Sequence, residues 1–302
     1  MQSVIRIVAF EFAGGDAFFL GLALLMTGAT VAAWRDGPRI RVVFRLATIG
    51  SWIVIVASGT PLPLWFYGIG VLLTVLSFWP RPAAIEASRS QRRFRIVVAL
   101  LISWCAAAAA WEFSYRLPPH LDHNARYDRL AVVGDSISAG LIGKGEDTWP
   151  KQFRTRYLDS VVDLSGPGAT ARSALRQAQT LNGRSDDRSA VVLIEIGGND
   201  FFELVPPSDF ANDLDRLLTE LRRPNRQLVM LELPLPPFYN AYGRVQRELA
   251  AQHRVPLISK REFARVVFAP GATLDTVHLS ETGHGLFADM VWDHLGGLLR
   301  QR

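Results

Sequence analysis

Apolar residues fall along this chain in two rhythms. Before residue 117 they form four long runs, at residues 17–34, 42–59, 62–79 and 96–115. Each is close to the ~20 residues that cross a ~30 Å hydrocarbon core as a helix. Beyond residue 126 they form short runs at 129–133, 161–164, 190–196, 227–233 and 255–258, which read as strands. Three of these are continuous Val/Leu/Ile stretches, the pattern of strands buried on both faces. The amphipathic stretches 149–157, 170–181, 208–222, 242–253 and 280–300 read as helices. Such alternation predicts right-handed crossovers and a parallel sheet with helices on both faces. The expected organisation is an all-α membrane domain of about four transmembrane helices over 1–117, a linker over 118–126, and an α/β domain over 127–302.

Charge sharpens this division. The 302 residues carry a net +5, yet up to Arg126 there are 12 Arg, no Lys and 6 acids, against 21 basic and 22 acidic residues afterwards. The α/β domain therefore lacks the basic excess that nucleic acid requires. Low net charge with 49% apolar residues excludes a disordered chain. Arg35, Arg39, Arg41 and Arg45 follow the first run, and Arg81, Arg89, Arg92, Arg93 and Arg95 follow the third, whereas Thr60–Pro61 carries no charge. Basic loops stay in the cytoplasm. Four spans then place the N-terminus and residues 127–302 outside, on the periplasmic side of a multi-pass cytoplasmic-membrane protein. Residues 1–16 carry Glu11 and Asp16, and three further apolar runs follow the first, so a cleaved signal peptide is not expected. The single cysteine, Cys105, excludes an internal disulfide and a multi-cysteine zinc site. His120 and His123 read as solvated linker residues, and neither metal nor organic cofactor is expected.

Open α/β sheets bind ligands at the carboxyl ends of their strands. The first predicted strand ends in Gly134-Asp135-Ser136-Ile137-Ser138-Ala139-Gly140, and the second in Asp163-Leu164-Ser165-Gly166-Pro167-Gly168-Ala169-Thr170. The third ends in Glu195-Ile196-Gly197-Gly198-Asn199-Asp200, and Asp275-Thr276-Val277-His278 precedes the last helix. Taken singly, Ser136 could be a helix cap and Asn199 a turn residue. Together, in this order, the blocks resemble the four signature blocks of the GDSL esterase/lipase family, also called SGNH hydrolases. The matches are Ser136, Gly168, Asn199 and His278. With Thr148-Trp149-Pro150 and Ile194-Glu195-Ile196 added, the sequence looks most like the bacterial thioesterase/lysophospholipase and arylesterase branch. The resemblance covers 129–302 and none of the membrane part.

The resemblance implies a flavodoxin-like parallel sheet and a serine ester hydrolase. A hydroxyl nucleophile needs a base within reach and a group that orients the base. Ser136 would be the nucleophile, His278 the base and Asp275 the orienter. The backbone N–H groups of Ser136 and Gly168, with the Asn199 amide, would form the oxyanion hole. Asp163 stands where many relatives carry Asn, and Gly166-Pro167-Gly168 leaves Gly166 as an alternative donor. Asp135 and Asp200 are expected to order the loops, and Ser138, His253, His284 and His294 to be structural. The expected partners are an acyl or acetyl ester, of a lipid or an acylated glycan, and the lipid bilayer. An acyl or acetyl transferase, or a non-catalytic envelope assembly protein, are the alternatives.

Overall fold

A computed structural model describes residues 2–35, 37–78, 87–122, 124–141, 146–185, 188–275 and 277–300. Arg81, His123 and Thr276, all noted in the sequence, lie outside them. The chain divides into two compact units, Glu11–Arg116 with Pro236–Asn240, and Met1–Phe10 with Leu117–Leu235 and Ala241–Arg302.

The helical region opens with α1 (Gln2–Ala13), a helix the sequence reading did not predict, followed by α2 (Asp16–Trp34), α3 (Pro38–Ala57), α4 (Leu64–Ser77) and α5 (Ala87–Ser114). Among the described residues three helices are long and apolar enough to cross a membrane: Asp16–Trp34, Pro38–Ala57 and Ser90–Ser114. This is one fewer than the four runs predicted. Pro63, with φ −56°, caps α4 and delays its start to Leu64, leaving 14 residues or ~21 Å of helix. Inside the bundle Phe18, Leu22, Leu25, Ile55, Leu101 and Trp104 form the core. A Cβ on Gly70 would lie 2.4 Å from the Trp104 ring, so α4 and α5 meet only because that position has no side chain. Trp104 Nε1 donates to Phe66 O at 3.0 Å, and Trp52 Nε1 to Thr74 Oγ1 at 3.1 Å. The outward side of α3 is apolar too: Val42, Leu46, Ile49, Ile53 and Val56 are all exposed, Leu46 by 64%.

The second unit contains five parallel strands, β1 (Arg129–Gly134), β2 (Val161–Asp163), β3 (Ala190–Glu195), β4 (Arg226–Leu231) and β5 (Leu257–Ile258), in the order β2-β1-β3-β4-β5. All five lie where short apolar runs were predicted, with ends shifted by up to two residues. Every residue of β1 and β3 is buried, as a sheet covered on both faces requires. Helices α7 (Trp149–Arg156) and α12 (Lys260–Val267) pack on α13 (Glu281–Leu295), while α8 (Ala171–Asn182) packs on α10 (Pro207–Leu221). Right-handed crossovers assign these groups to opposite faces, because the chain moves to β2 in one direction and returns through β3 to β5 in the other. The two short helices α6 (Ser136–Ala139) and α9 (Gly198–Phe202), like α12, escaped the sequence reading. The remaining helix, α11, spans Asn240–His253. Aromatic rings fill one side of the core, with Trp149 and Phe287 centroids 5.1 Å apart and Tyr157 stacked on Trp292 at 4.6 Å.

Candidate active site

In this strand order the chain reverses direction between β1 and β3, and the crevice at such a switch point is where doubly wound sheets bind ligands. Gly134 and Glu195 pair at the carboxyl ends of the two strands. The loops carrying Ser136 and Asn199 therefore leave the sheet side by side.

Ser136 opens α6 directly after β1 and is 9% exposed. Asp135 caps that helix, its Oδ1 accepting from Ile137 N at 2.9 Å. Its Oδ2 accepts from Asn199 Nδ2 at 3.1 Å, and the same amide donates to Ala169 O at 3.1 Å. Asp200, fully buried, accepts from Ala171 N at 2.9 Å. Asp135 and Asp200 thus tie the three loops together, as loop-ordering residues should. Gly168 adopts φ +71°, a region that favours glycine. Gly166 spends its N–H on Gly134 O at 3.1 Å. Among the described residues no protein acceptor meets the N–H of Ser136 or of Gly168. Asp163, the departure from the family pattern, binds Ser165 through both its N–H and its hydroxyl.

The loop before α13 is closed by a bridge between Thr273 and Leu279 and by Leu274 N donating to His278 O at 2.9 Å. Asp275 Oδ1 accepts from Val277 N at 2.7 Å and His278 N at 2.8 Å, and Oδ2 lies 2.8 Å from His278 Nδ1. The Val277 N–H, the His278 ring and the His278 N–H hold the Asp275 carboxyl down at about 2. A carboxylate can only accept, so Nδ1 carries its hydrogen and Nε2 is left with the lone pair of a base. Ser136 Oγ makes no hydrogen bond to His278 among the described residues; in unliganded sites this contact often forms only with substrate. Burial pushes Asp135 up to about 6, opposed by the Ile137 N–H, Glu195 and the positive form of His278.

Sequence reasoning gave no role to Glu195 or Glu146. Glu195 is fully buried, accepting from Ser138 Oγ at 3.0 Å and Asp135 N at 3.3 Å. Its signal was a lone acid closing the apolar strand Ala190–Glu195. Glu146 Oε2 accepts from Leu141 N at 2.8 Å, and Oε1 lies 3.2 Å from His284 Nε2. His284 Nδ1 accepts from Trp149 N at 3.2 Å, so the ring is neutral, and burial lowers its pKa accordingly. The residues read as structural, Ser138 and His284, are embedded in this support. A cleft lined by Arg129, Asn182, Arg223 and Arg226 lies at the opposite, amino-terminal edge of the strands.

A hydroxyl, a carboxylate-bound imidazole and open backbone N–H groups are the parts that a serine-type hydrolase uses. Residues 132–286, just over half of the chain, match the GDSL-like Lipase/Acylhydrolase family, and the chain belongs to it. It is a carboxylic-ester hydrolase by that membership. It is 30% identical over 170 residues to Esterase TesA of Pseudomonas aeruginosa, covering 53% of this chain and 79% of that protein. It is 28% identical over 141 residues to thioesterase 1/protease 1/lysophospholipase L1 of Escherichia coli, covering 44% of this chain and 67% of that protein. The crystal structure of TesA superposes with a TM-score of 0.50 at 28% identity, covering 57% of this chain and all of that one.

Proposed function

We propose that the protein is a membrane-anchored serine esterase acting on acyl or acetyl esters outside the cytoplasm. The observation that carries the reading is the Asp275–His278 pair at 2.8 Å, together with a nucleophile candidate at the switch point of the same sheet. In this mechanism Ser136 Oγ attacks the ester carbonyl and its proton passes to His278 Nε2. Asp275 holds the ring and stabilises the imidazolium. The oxyanion is met by the N–H groups of Ser136 and Gly168 and by the Asn199 amide. Asn199 must share one N–H that it otherwise gives to Asp135 or Ala169. The imidazolium protonates the departing alkoxide, and water, activated by the same base, releases the acid.

Three apolar helices and the outward apolar face of α3 support the membrane anchor, since a contiguous exposed apolar face needs a non-aqueous partner. The arginine-rich connections support a cytoplasmic position for the loops after α2 and before α5, a topology in which the 14-residue α4 crosses back beside α3 as a short fourth span. The names of the relatives, a thioesterase and lysophospholipase among them, make a fatty acyl ester the substrate class to test first. A fluorophosphonate probe should label the wild-type chain and leave Ser136→Ala unlabelled. Equal labelling of both would remove Ser136 from its role. A C-terminal alkaline phosphatase fusion should be active and a C-terminal GFP fusion dark; the reverse pattern would put the catalytic domain in the cytoplasm.

A further inference from the structure

Behind the Ser136 turn lie two carboxyl groups that the mechanism does not use as acid or base. Asp135 and Glu195 are 3% and 1% exposed, and their side chains contact one another. Two adjacent buried carboxylates repel, so the pair must retain a proton at neutral pH.

The hydrogen bonds say where that proton sits. Trp149 Nε1 donates to Ser138 Oγ at 3.1 Å, and an indole N–H can only donate. Ser138 must therefore accept from Trp149 and give its own hydrogen to Glu195 Oε2, 3.0 Å away. Asp135 N donates to the same Oε2 at 3.3 Å. Oε2 is thus the carbonyl-like oxygen of Glu195, whereas Oε1 is buried and meets no donor among the described residues. An ionised oxygen in that position would be stranded without compensation. Asp135 is the reverse case, because both its oxygens accept, Oδ1 from Ile137 N and Oδ2 from Asn199 Nδ2.

The geometry points to Glu195 as a neutral carboxylic acid that donates its hydrogen to the Asp135 carboxylate, and so acts as a positioning residue for the Ser136 turn and the Asn199 amide. Asp135 carries the effect to the site, since one of its oxygens caps α6 and the other holds Asn199. Burial, then the Asp135 charge, raise Glu195 well above the usual carboxyl range, which agrees with the donor pattern. The other titratable groups that reach Asp135 are His278, whose positive form favours the ionised carboxylate, and Asp200, which opposes it. Ser138, Trp149, Asn199 and Gln177, which brackets Gly134 with two hydrogen bonds, are the uncharged polar neighbours. The inference rests on the esterase reading for its effect on turnover, but the protonation state stands on the burial of the two acids and the donors around them.

Glu195→Gln tests it, because an amide keeps both an acceptor for Ser138 and a donor for Asp135. In the full chain in detergent, Glu195→Gln should retain kcat for p-nitrophenyl acetate within about threefold, whereas Glu195→Ala should lose about 10²-fold in kcat with little change in KM. Wild-type kcat should fall at alkaline pH, as Glu195 loses its proton beside Asp135, and Glu195→Gln should lack that limb. An infrared difference spectrum of wild type against Glu195→Gln at neutral pH should contain the C=O band of a protonated carboxyl. Absence of the band, or a Glu195→Gln protein as impaired as Glu195→Ala, overturns the assignment. If the wild type neither turns over the ester nor reacts with fluorophosphonate at Ser136, the esterase reading fails, and the band still decides the state of Glu195.

Discussion

The two units use the same apolar residues in opposite ways. In the α/β unit, Val, Leu and Ile of β1 and β3 are sealed on both faces. In the helical unit a comparable set on α3, Val42, Leu46, Ile49, Ile53 and Val56, faces outward. Their polar side chains differ as well. Thr48, Ser51 and Thr74 bond back to the carbonyls of Phe44, Ala47 and Gly70 within their own helices. Ser138, Glu195 and Asp135 instead reach across strands and loops to build a shared network. Under the proposed membrane anchoring a helix in lipid must satisfy itself, whereas a water-facing domain can devote buried polar groups to fixing a site.

The largest expected effect breaks the site and spares both units. Ser136→Ala should lower ester turnover by at least about 10⁴-fold, with an unchanged circular dichroism spectrum. Residual turnover near the wild-type rate would end the nucleophile assignment. Asn199→Ala should lower kcat by about 10²–10³ with a smaller change in KM, the signature of an oxyanion donor. Asn199→Asp should be at least as harmful, since a carboxylate would face Asp135 as well as the oxyanion. A loss under about fivefold for Asn199→Ala would leave Asn199 as a mere tie between Asp135 and Ala169.

The contrast between surfaces can be tested directly. Leu46→Lys, at the middle of the outward face of α3, should cost about 3 kcal/mol of insertion if that face meets lipid. The readout is loss of protein from the carbonate-resistant membrane fraction, and unchanged recovery would mean that the face is wet. Leu286→Lys, on the partly exposed surface of α13, should shift stability by no more than about 0.5 kcal/mol in thermal melts.

The smallest effect is a pH trend. Asp135 and Asp200 are both pushed up to about 6, chiefly by burial, from the ordinary 3.8. The folded chain therefore holds their protons more tightly than the unfolded chain. That contribution is fully present below 3.8 and is lost as pH rises through about 6. Asp275, held at about 2, contributes in the opposite sense, above 3.8 and lost as pH falls towards 2. Melts of the full chain in detergent between about pH 4 and 7 should show a gentle decline, flattened in Asp200→Asn. A decline of equal slope in that variant would discharge Asp200 from the effect.

The sheet was legible because buried parallel strands are short, continuous and β-branched. Val191, Val192, Leu193 and Ile194 could hardly be anything else. The pairing of Asp275 with His278 was legible through spacing, since three residues suffice to fold one side chain back on the other. The short helices α6 and α9 were not, because four or five residues carry no helical period. The number of long helices was overread for a related reason. Hydropathy counts Leu62 in the third run, but Pro63 decides where the helix begins. The proton on Glu195 could not be read from the sequence, because it depends on a tryptophan from α7 and a serine from α6 meeting one strand end.

The pairing of Gly134 with Glu195 also bears on how the sheet assembles. A Cβ on Gly134 would lie 2.7 Å from Ser138 Oγ and 3.1 Å from Glu195 Oε2, so only a glycine here leaves room for the acid and its hydroxyl partner. Parallel β1 and β3 are rich in interchangeable valines, and besides this pair it is Asp128, bound to Ser189 at their amino ends, that fixes their alignment. A slip of one residue would turn Glu195 to the other face of the sheet. A slip of two would set its carboxyl beside Val132, buried and without donors, at a cost of several kcal/mol. The glycine and the acid thus act as a registration mark, favouring the native alignment over a slipped one.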